Sequence, residues 1–222
     1  MIDLGDWNLT IPEGQPAITI TSPQLQAGYR SAYFAPDGSR VVFWVPVTGT
    51  STQLSDYPRT ELREAHSDGK VYNWSQAGLP AYMQATLEVL QVPSNGKVII
   101  GQIHAADSPY PLLKLEYQWV NGVGYVNLTL RDKPTSPSAP VVMTYKSMPM
   151  GMPFNYRIDV GKTGALKVDI GGLVYQGKVS SAWAKKSFYF KAGAYIPDNT
   201  GPSTEGALVV FHDLRPGHGG TP

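Results

Sequence analysis

The sequence predicts an all-β protein, and three observations carry that prediction. Apolar and polar residues alternate with a period of two in segment after segment, as in half-buried strands. Turn signals separate these segments: "SNGK" (94–97), "VNGVG" (120–124), "GKTGA" (161–165) and "GG" (171–172). No long stretch carries apolar residues at helical spacing. Composition agrees, since 42% of the 222 residues are apolar and 23 glycines and 19 prolines suit many tight turns. Many strands of similar length imply a sandwich, a jelly roll or a barrel.

Taken in order, the expected strands are "RVVFWVPV" (40–47), "YMQATLEVLQV" (82–92), "KVIIGQIHA" (97–105), "LLKLEYQWV" (112–120) and "YVNLTLR" (125–131). They continue with "VVMTYKSM" (141–148), "FNYRIDVG" (154–161), "ALKVDIGG" (165–172), "LVYQGKV" (173–179), "SFYFKAGAY" (187–195) and "ALVVFHDLR" (207–215). "SAWAKKS" (181–187) suits one short helical turn, and "KPTSPSAP" (133–140) reads as a surface loop. With no repeat or linker to divide it, the chain reads as one domain over 1–222. Within 82–92, Tyr82, Gln84, Thr86 and Glu88 share a polar face, which would bed a sugar chain if the sheet is curved.

Several functions are excluded early. A net charge of +1 gives no field for nucleic acid or an anionic membrane, and no apolar run is long enough to span one. The absence of cysteine removes disulfides, thiolate metal sites and cysteine nucleophiles. The opening "MIDLGDWNLTIP" shows no signal-peptide pattern, and the compartment stays open. "GKT" (161–163) is no P-loop, because Tyr156 stands where its first glycine belongs. No H-E-x-x-H, Gly-x-Ser-x-Gly or close carboxylate pair on one strand is present, so no metal is expected and hydrolysis is disfavoured. Asn8, Asn73 and Asn127 open glycosylation sequons but read as ordinary strand and turn residues.

Three stretches combine into a chemistry. In "YPRTELRE" (57–64) a strand puts Arg59, Glu61 and Arg63 on one face, a cationic comb whose glutamate holds the guanidinium groups for an external carboxylate. In "GQIH" (101–104) Gln102 and His104 share a face and Ile103 turns away. In "SFYFKAGAY" Tyr189, Lys191, Gly193 and Tyr195 share a face opposite Phe190, Ala192 and Ala194, with Gly193 leaving room for a ligand. Each has a bland reading: a salt-bridge ladder, a structural histidine, a snorkelling lysine. Together they suit neutralising a carboxylate and moving a proton beside it.

"RTELR" (59–63), "QIH" (102–104) and "YFKAGAY" (189–195) resemble, in order and spacing, the three signature segments of polysaccharide lyase family 7, the alginate lyases. "DWNLTIP" (6–12) resembles that family's opening and "VVFHDL" (209–214) its last strand, so the resemblance spans almost the whole chain. It implies a β-jelly roll of two antiparallel sheets, concanavalin-like, with a concave substrate groove. It implies cleavage of alginate, a mannuronate and guluronate polymer, by β-elimination without metal or organic cofactor. Arg59, Gln102, His104 and Tyr195 match the catalytic set; Glu61, Arg63 and Lys191 match supporting or substrate-binding positions. Tyr189 is expected as a groove wall. The chain departs from the family after Tyr195, where "IPDN" (196–199) stands, and Asp198 or Asn199 is expected to replace a lost polar contact there, with Asn199 the expected substrate contact. The expected mode is endolytic action by a monomer, on guluronate-containing or mixed blocks. Two other readings stay open: a non-catalytic polyuronate-binding module, and a lyase for another polyuronate such as glucuronan.

Overall fold

The computed structural model describes residues 1–219, so the last three residues of the expected domain lie outside the described part. The strands are β1 (Trp7–Gly14), β2 (Ala17–Ile20), β3 (Phe34–Asp37), β4 (Arg40–Pro46), β5 (Arg59–Glu64), β6 (Trp74–Ser75), β7 (Ala81–Gln91) and β8 (Lys97–Ala105). They continue as β9 (Pro111–Val120), β10 (Val123–Leu130), β11 (Val141–Lys146), β12 (Phe154–Val160), β13 (Ala165–Ile170), β14 (Leu173–Lys178), β15 (Ser187–Tyr195) and β16 (Gly206–His218). The strongly alternating segments all form strands. The short elements β1 to β3, β6 and the helix α1 (Ser22–Gln26) are not in the strand-by-strand expectation. Five residues are too few to show a helical period. The available signal was "TSPQ" (21–24), in which Gln24 reaches back to accept the Thr21 backbone N–H at 2.8 Å. The expected turn at "SAWAKKS" is a 3-10 turn, Ser181–Trp183, and residues 133–140 form a loop as expected.

The strands make two antiparallel sheets. One runs β11-β10-β9-β8-β15-β5-β1-β2, with β6 beside β15; the other runs β14-β13-β12-β7-β16-β4-β3. Their inner faces supply one core. Leu9, Leu62, Ile103, Leu115 and Phe190 from the first sheet and Phe43, Leu87, Ile158 and Phe211 from the second are all fully buried. Phe43 packs edge-on against Phe34 and Phe211, each with ring centroids 5.3 Å apart. This is the two-sheet jelly roll, and among the architectures open at the outset neither sheet closes into a barrel.

The polar face of β7 belongs to the second sheet, away from the three motifs. It is occupied by its own contacts: Arg157 bonds Asp159 (2.7 Å) and Gln84 (2.7 Å) and lies over the Tyr82 ring, and Glu88 pairs with His212 at 3.1 Å. The sugar bed suggested by that alternation therefore lies on the other sheet. Period two shows which residues share a face, not which sheet owns the face.

A bulge makes the chemistry of β8 possible. Val98 and Ile100 point into the core, and simple alternation would send Gln102 there too. The pairing with β9 slips between Ile99 and Gly101, so Ile103 and Ala105 turn inward instead. Gln102 and His104 are thereby aimed outward. Gly101 permits this, because a Cβ there would lie 2.8 Å from the Tyr156 hydroxyl.

Candidate active site

β5, β15 and β8 lie side by side, and their register aligns the three motifs. Lys191 stands between Arg63 on β5 and Gln102 on β8; Tyr195 faces Arg59, and Tyr189 faces His104. Their outward face floors a cavity of about 410 Å³, lined by Arg59, Gln102, His104, Tyr189, Lys191 and Tyr195. Tyr189 and Tyr195 are six positions apart on β15, and the pairing with β8 slips between Ala192 and Tyr195. The cavity is thus spanned along the strands, with His104 and Tyr189 at one wall, Tyr195 at the other and Lys191 between.

Glu61 organises the floor. One carboxylate oxygen pairs with Lys191 Nζ at 2.5 Å and Arg59 Nη1 at 3.1 Å, and the other accepts from Gln102 Nε2 at 2.5 Å. Burial alone would raise its pKa, but Lys191 and Arg59 outweigh burial and hold the carboxyl below its usual range. At 1% exposure Glu61 lies beneath the cations and outside the cavity lining, so it positions them rather than touching a ligand. A comb built from β5 alone would put both arginines on Glu61. Instead Lys191, brought in by β15, takes the place of Arg63. Arg63 donates to the carbonyls of Glu64 (2.7 Å) and Tyr72 (3.3 Å) and to Asn73 (2.6 Å), and its guanidinium supports the Tyr189 ring at 4.0 Å.

Each remaining group has a defined state. Burial first, then Lys191, push the His104 imidazole down to about 4, so it is neutral at pH 7. Its Nδ1 lies 2.9 Å from the Ala105 carbonyl and must donate to it, which leaves the Nε2 lone pair free to take a proton. Burial raises the Tyr189 pKa despite the opposing pull of Arg63, and its ring stacks on His104 at 5.5 Å. Burial and Arg59 lower Lys191 to about 8 against the pull of Glu61. Tyr195 places its hydroxyl 3.3 Å from Ser55 Oγ, and Arg59 covers its ring at 3.8 Å. Among the described residues only Nη1 of Arg59 is engaged by a side chain; Nε is buried without an acceptor, and Nη2 has no hydrogen-bond partner. Donors are therefore left for a carboxylate. Among the described residues no three His, Cys, Asp or Glu side chains converge as a metal site.

The alginate lyase family model matches residues 2–218 of this chain. The chain belongs to the alginate lyases of polysaccharide lyase family 7. An alginate lyase of Pseudomonas aeruginosa has a similar solved structure, 44% identical, TM-score 0.94, covering 97% of this chain and 99% of that one. Family 7 alginate lyase A1-II′ in complex with the substrate GGMG is 30% identical, TM-score 0.86, covering 100% and 96%. A curated alginate lyase of Klebsiella pneumoniae is 27% identical over 98% of this chain and 90% of that protein.

Two expectations within this family 7 chain change. Asn199 is exposed and outside the cavity lining; its side chain donates to the Asp56 carbonyl at 3.2 Å. β15 ends at Tyr195 and Ile196 dives into the core, so the "IPDN" segment leaves the groove and braces the loop that carries Ser55. Gly193 makes no room for a ligand. It has φ +145°, and a Cβ there would meet the Thr60 carbonyl oxygen at 2.6 Å and the Phe43 ring at 3.2 Å, so it is needed for strand packing. Sequence reasoning missed Ser55, Tyr110, Lys114 and Arg131, which complete the cavity. Lys114 was legible, because "LLKLEYQ" sends Lys114, Glu116 and Gln118 to one face. The others come from loops or a strand end, where no period applies.

Proposed function

We infer that the protein depolymerises alginate by β-elimination, with Arg59, Gln102, His104 and Tyr195 as catalytic residues. One observation carries this: a neutral imidazole and a phenol line one cavity with Arg59 and Lys191, whose shared carboxylate, Glu61, lies beneath the surface. That arrangement suits a uronate, because the C5 proton becomes removable only when charge building on the carboxylate is neutralised. Arg59 and Gln102 receive that carboxylate, and Lys191 adds charge below it. His104 Nε2 takes the C5 proton; Tyr195 gives its proton to the departing O4, leaving a C4=C5 double bond.

Base and acid reach the ring from opposite walls, as guluronate requires, since its C5 proton and O4 leave from opposite faces. We therefore assign the preference to guluronate-containing or mixed blocks. Ile103 is fully buried, so any influence on sugar choice passes through the depth of β8. Action is endolytic in this reading, because the polar face continues past the cavity. There Gln118, Asn127 and Thr144 form a hydrogen-bonded row (3.1 and 2.9 Å) across β9, β10 and β11. The exposed apolar side chains fall singly or in neighbouring pairs, such as Val120 with Val123 and Leu173 with Val174, and a monomer acting on a dissolved polyanion is our reading of that scatter.

Ultraviolet absorbance during incubation with polyguluronate, polymannuronate and polyglucuronate tests the reading. The expected result is fastest absorbance growth on polyguluronate, with viscosity falling before most double bonds form. A rise confined to polyglucuronate assigns another polyuronate, and no rise on any polymer assigns a binding module.

The pH dependence follows from the two shifted groups. Chain binding needs protonated Lys191, so kcat/KM should fall as pH rises through about 8. The base must be neutral, so kcat/KM should also fall as pH drops through about 4. Lys191→Arg keeps its charge at every accessible pH and should move the alkaline limb upward by at least about one unit. An unmoved limb assigns it to another group.

A further inference from the structure

The cations of the cavity differ in how they are neutralised. Arg59 and Lys191 share Glu61. Lys114 lies opposite Gln102 in the β8–β9 ladder and points onto the groove face, since its neighbours Leu113 and Leu115 are in the core. The carboxylate nearest along its own strand face, Glu116, pairs with Lys97 at 3.5 Å, and Lys114 has no ion pair or hydrogen bond among the described residues. Its ammonium is held below the usual range by burial, and Arg131 and Lys97 add repulsion against the pull of Glu116.

Arg131 follows β10 and lines the same cavity at 4% exposure. Its backbone is pinned on both sides: its N–H donates to the Leu112 carbonyl at 2.8 Å, and its carbonyl accepts from Trp183 Nε1 at 3.0 Å. Its guanidinium donates from Nε to the Pro111 carbonyl at 2.9 Å and from Nη1 to the Ser136 carbonyl, over the Tyr110 ring at 4.8 Å. Backbone carbonyls orient the guanidinium without cancelling its charge. Two cations thus share one end of the cavity with no carboxylate paired to either. A carboxylate from a ligand relieves their mutual repulsion and replaces the water lost by burial.

Adjacent strands are about 4.8 Å apart, close to the length of one 1→4-linked pyranose. A chain lying across the strands therefore passes from β8 to β9 in about one sugar. We propose that Lys114 and Arg131 form a second carboxylate site, which binds the uronate next in the chain to the sugar undergoing elimination. This rests on the polyuronate reading above and deepens it: the site selects polymers with consecutive uronates.

The test compares wild type, Lys114→Gln and Lys114→Arg. Rates on polyguluronate are followed by absorbance, and calorimetry measures affinity for saturated triguluronate. Lys114→Gln should raise KM about tenfold and weaken trimer binding equally, while kcat changes less than about threefold, because the lost contact is made alike before and during reaction. Lys114→Arg should bring both values back to within about threefold of wild type. Melting temperatures report on the fold separately. Equal KM and equal affinity for wild type and Lys114→Gln overturn the second site, as does a defect that Lys114→Arg fails to repair. If wild type forms no double bonds on any polyuronate, the lyase reading fails alone. Trimer binding then still decides the second site, since about tenfold weakening in Lys114→Gln supports it on a binding surface.

Discussion

Tyr195→Phe is expected to lower turnover of polyguluronate by about 10²- to 10⁴-fold, the span usual for loss of a positioned acid or base. The substitution removes one oxygen. The ring can still fill its place under the Arg59 guanidinium at 3.8 Å, and the floor formed by Lys191, Glu61 and Gln102 is untouched. Only the hydroxyl's 3.3 Å contact with Ser55 and its proton are lost. Affinity for oligoguluronate should therefore stay within about threefold, because in the proposed mechanism that hydroxyl acts on the leaving oxygen and not on the carboxylate. Kinetics and calorimetry on the same preparation check both halves. A variant with wild-type turnover moves the acid role elsewhere. Tyr189 is then a candidate, since its neutral phenol stands at the opposite wall beside His104.

Glu61→Ala should be the most damaging single change for fold and activity together. It leaves Arg59, 8% exposed, and Lys191, also 8% exposed, side by side with their shared counter-charge gone. Breaking a buried pair by removing one partner costs about 3–5 kcal/mol. Chemical denaturation should show a loss of that size, and alginate turnover should fall to background because both cations and Gln102 lose their anchor. A loss under about 1 kcal/mol would mean that the cations are solvated well enough to need no partner. The same contact sets an acid limit. The folded-state pKa of Glu61 lies below its unfolded value, so its contribution is complete above the unfolded value, about 4.3, and disappears as pH falls through the folded one.

Strand parity places side chains correctly within a strand and says nothing of where strands meet. Tyr189, Lys191 and Tyr195 fall on the cavity face, as their alternation requires. The partner of Glu61 was not legible in "RTELR", because Lys191 arrives from a strand that follows over a hundred residues later. Gly193 was read as space for a ligand because a missing side chain shows in sequence, while its φ of +145° and the nearness of Thr60 and Phe43 do not. Asn199 was placed by continuity with Tyr195, but the chain leaves the sheet at once and Asn199 meets Asp56 instead.

Local pattern is enough for the all-β class, most strands and the residue types of the proposed site. Period two and turn chemistry are local, and a motif's residues share a face whatever lies beside them. The tertiary structure alone decided which sheet carries the groove, that the slip at Ile99–Gly101 turns Gln102 and His104 outward, and that Glu61 serves Lys191 rather than Arg63. It also brought Ser55, Tyr110, Lys114 and Arg131 to the same cavity. Register, bulges and loop placement depend on contacts between distant segments, and no local periodicity encodes those contacts.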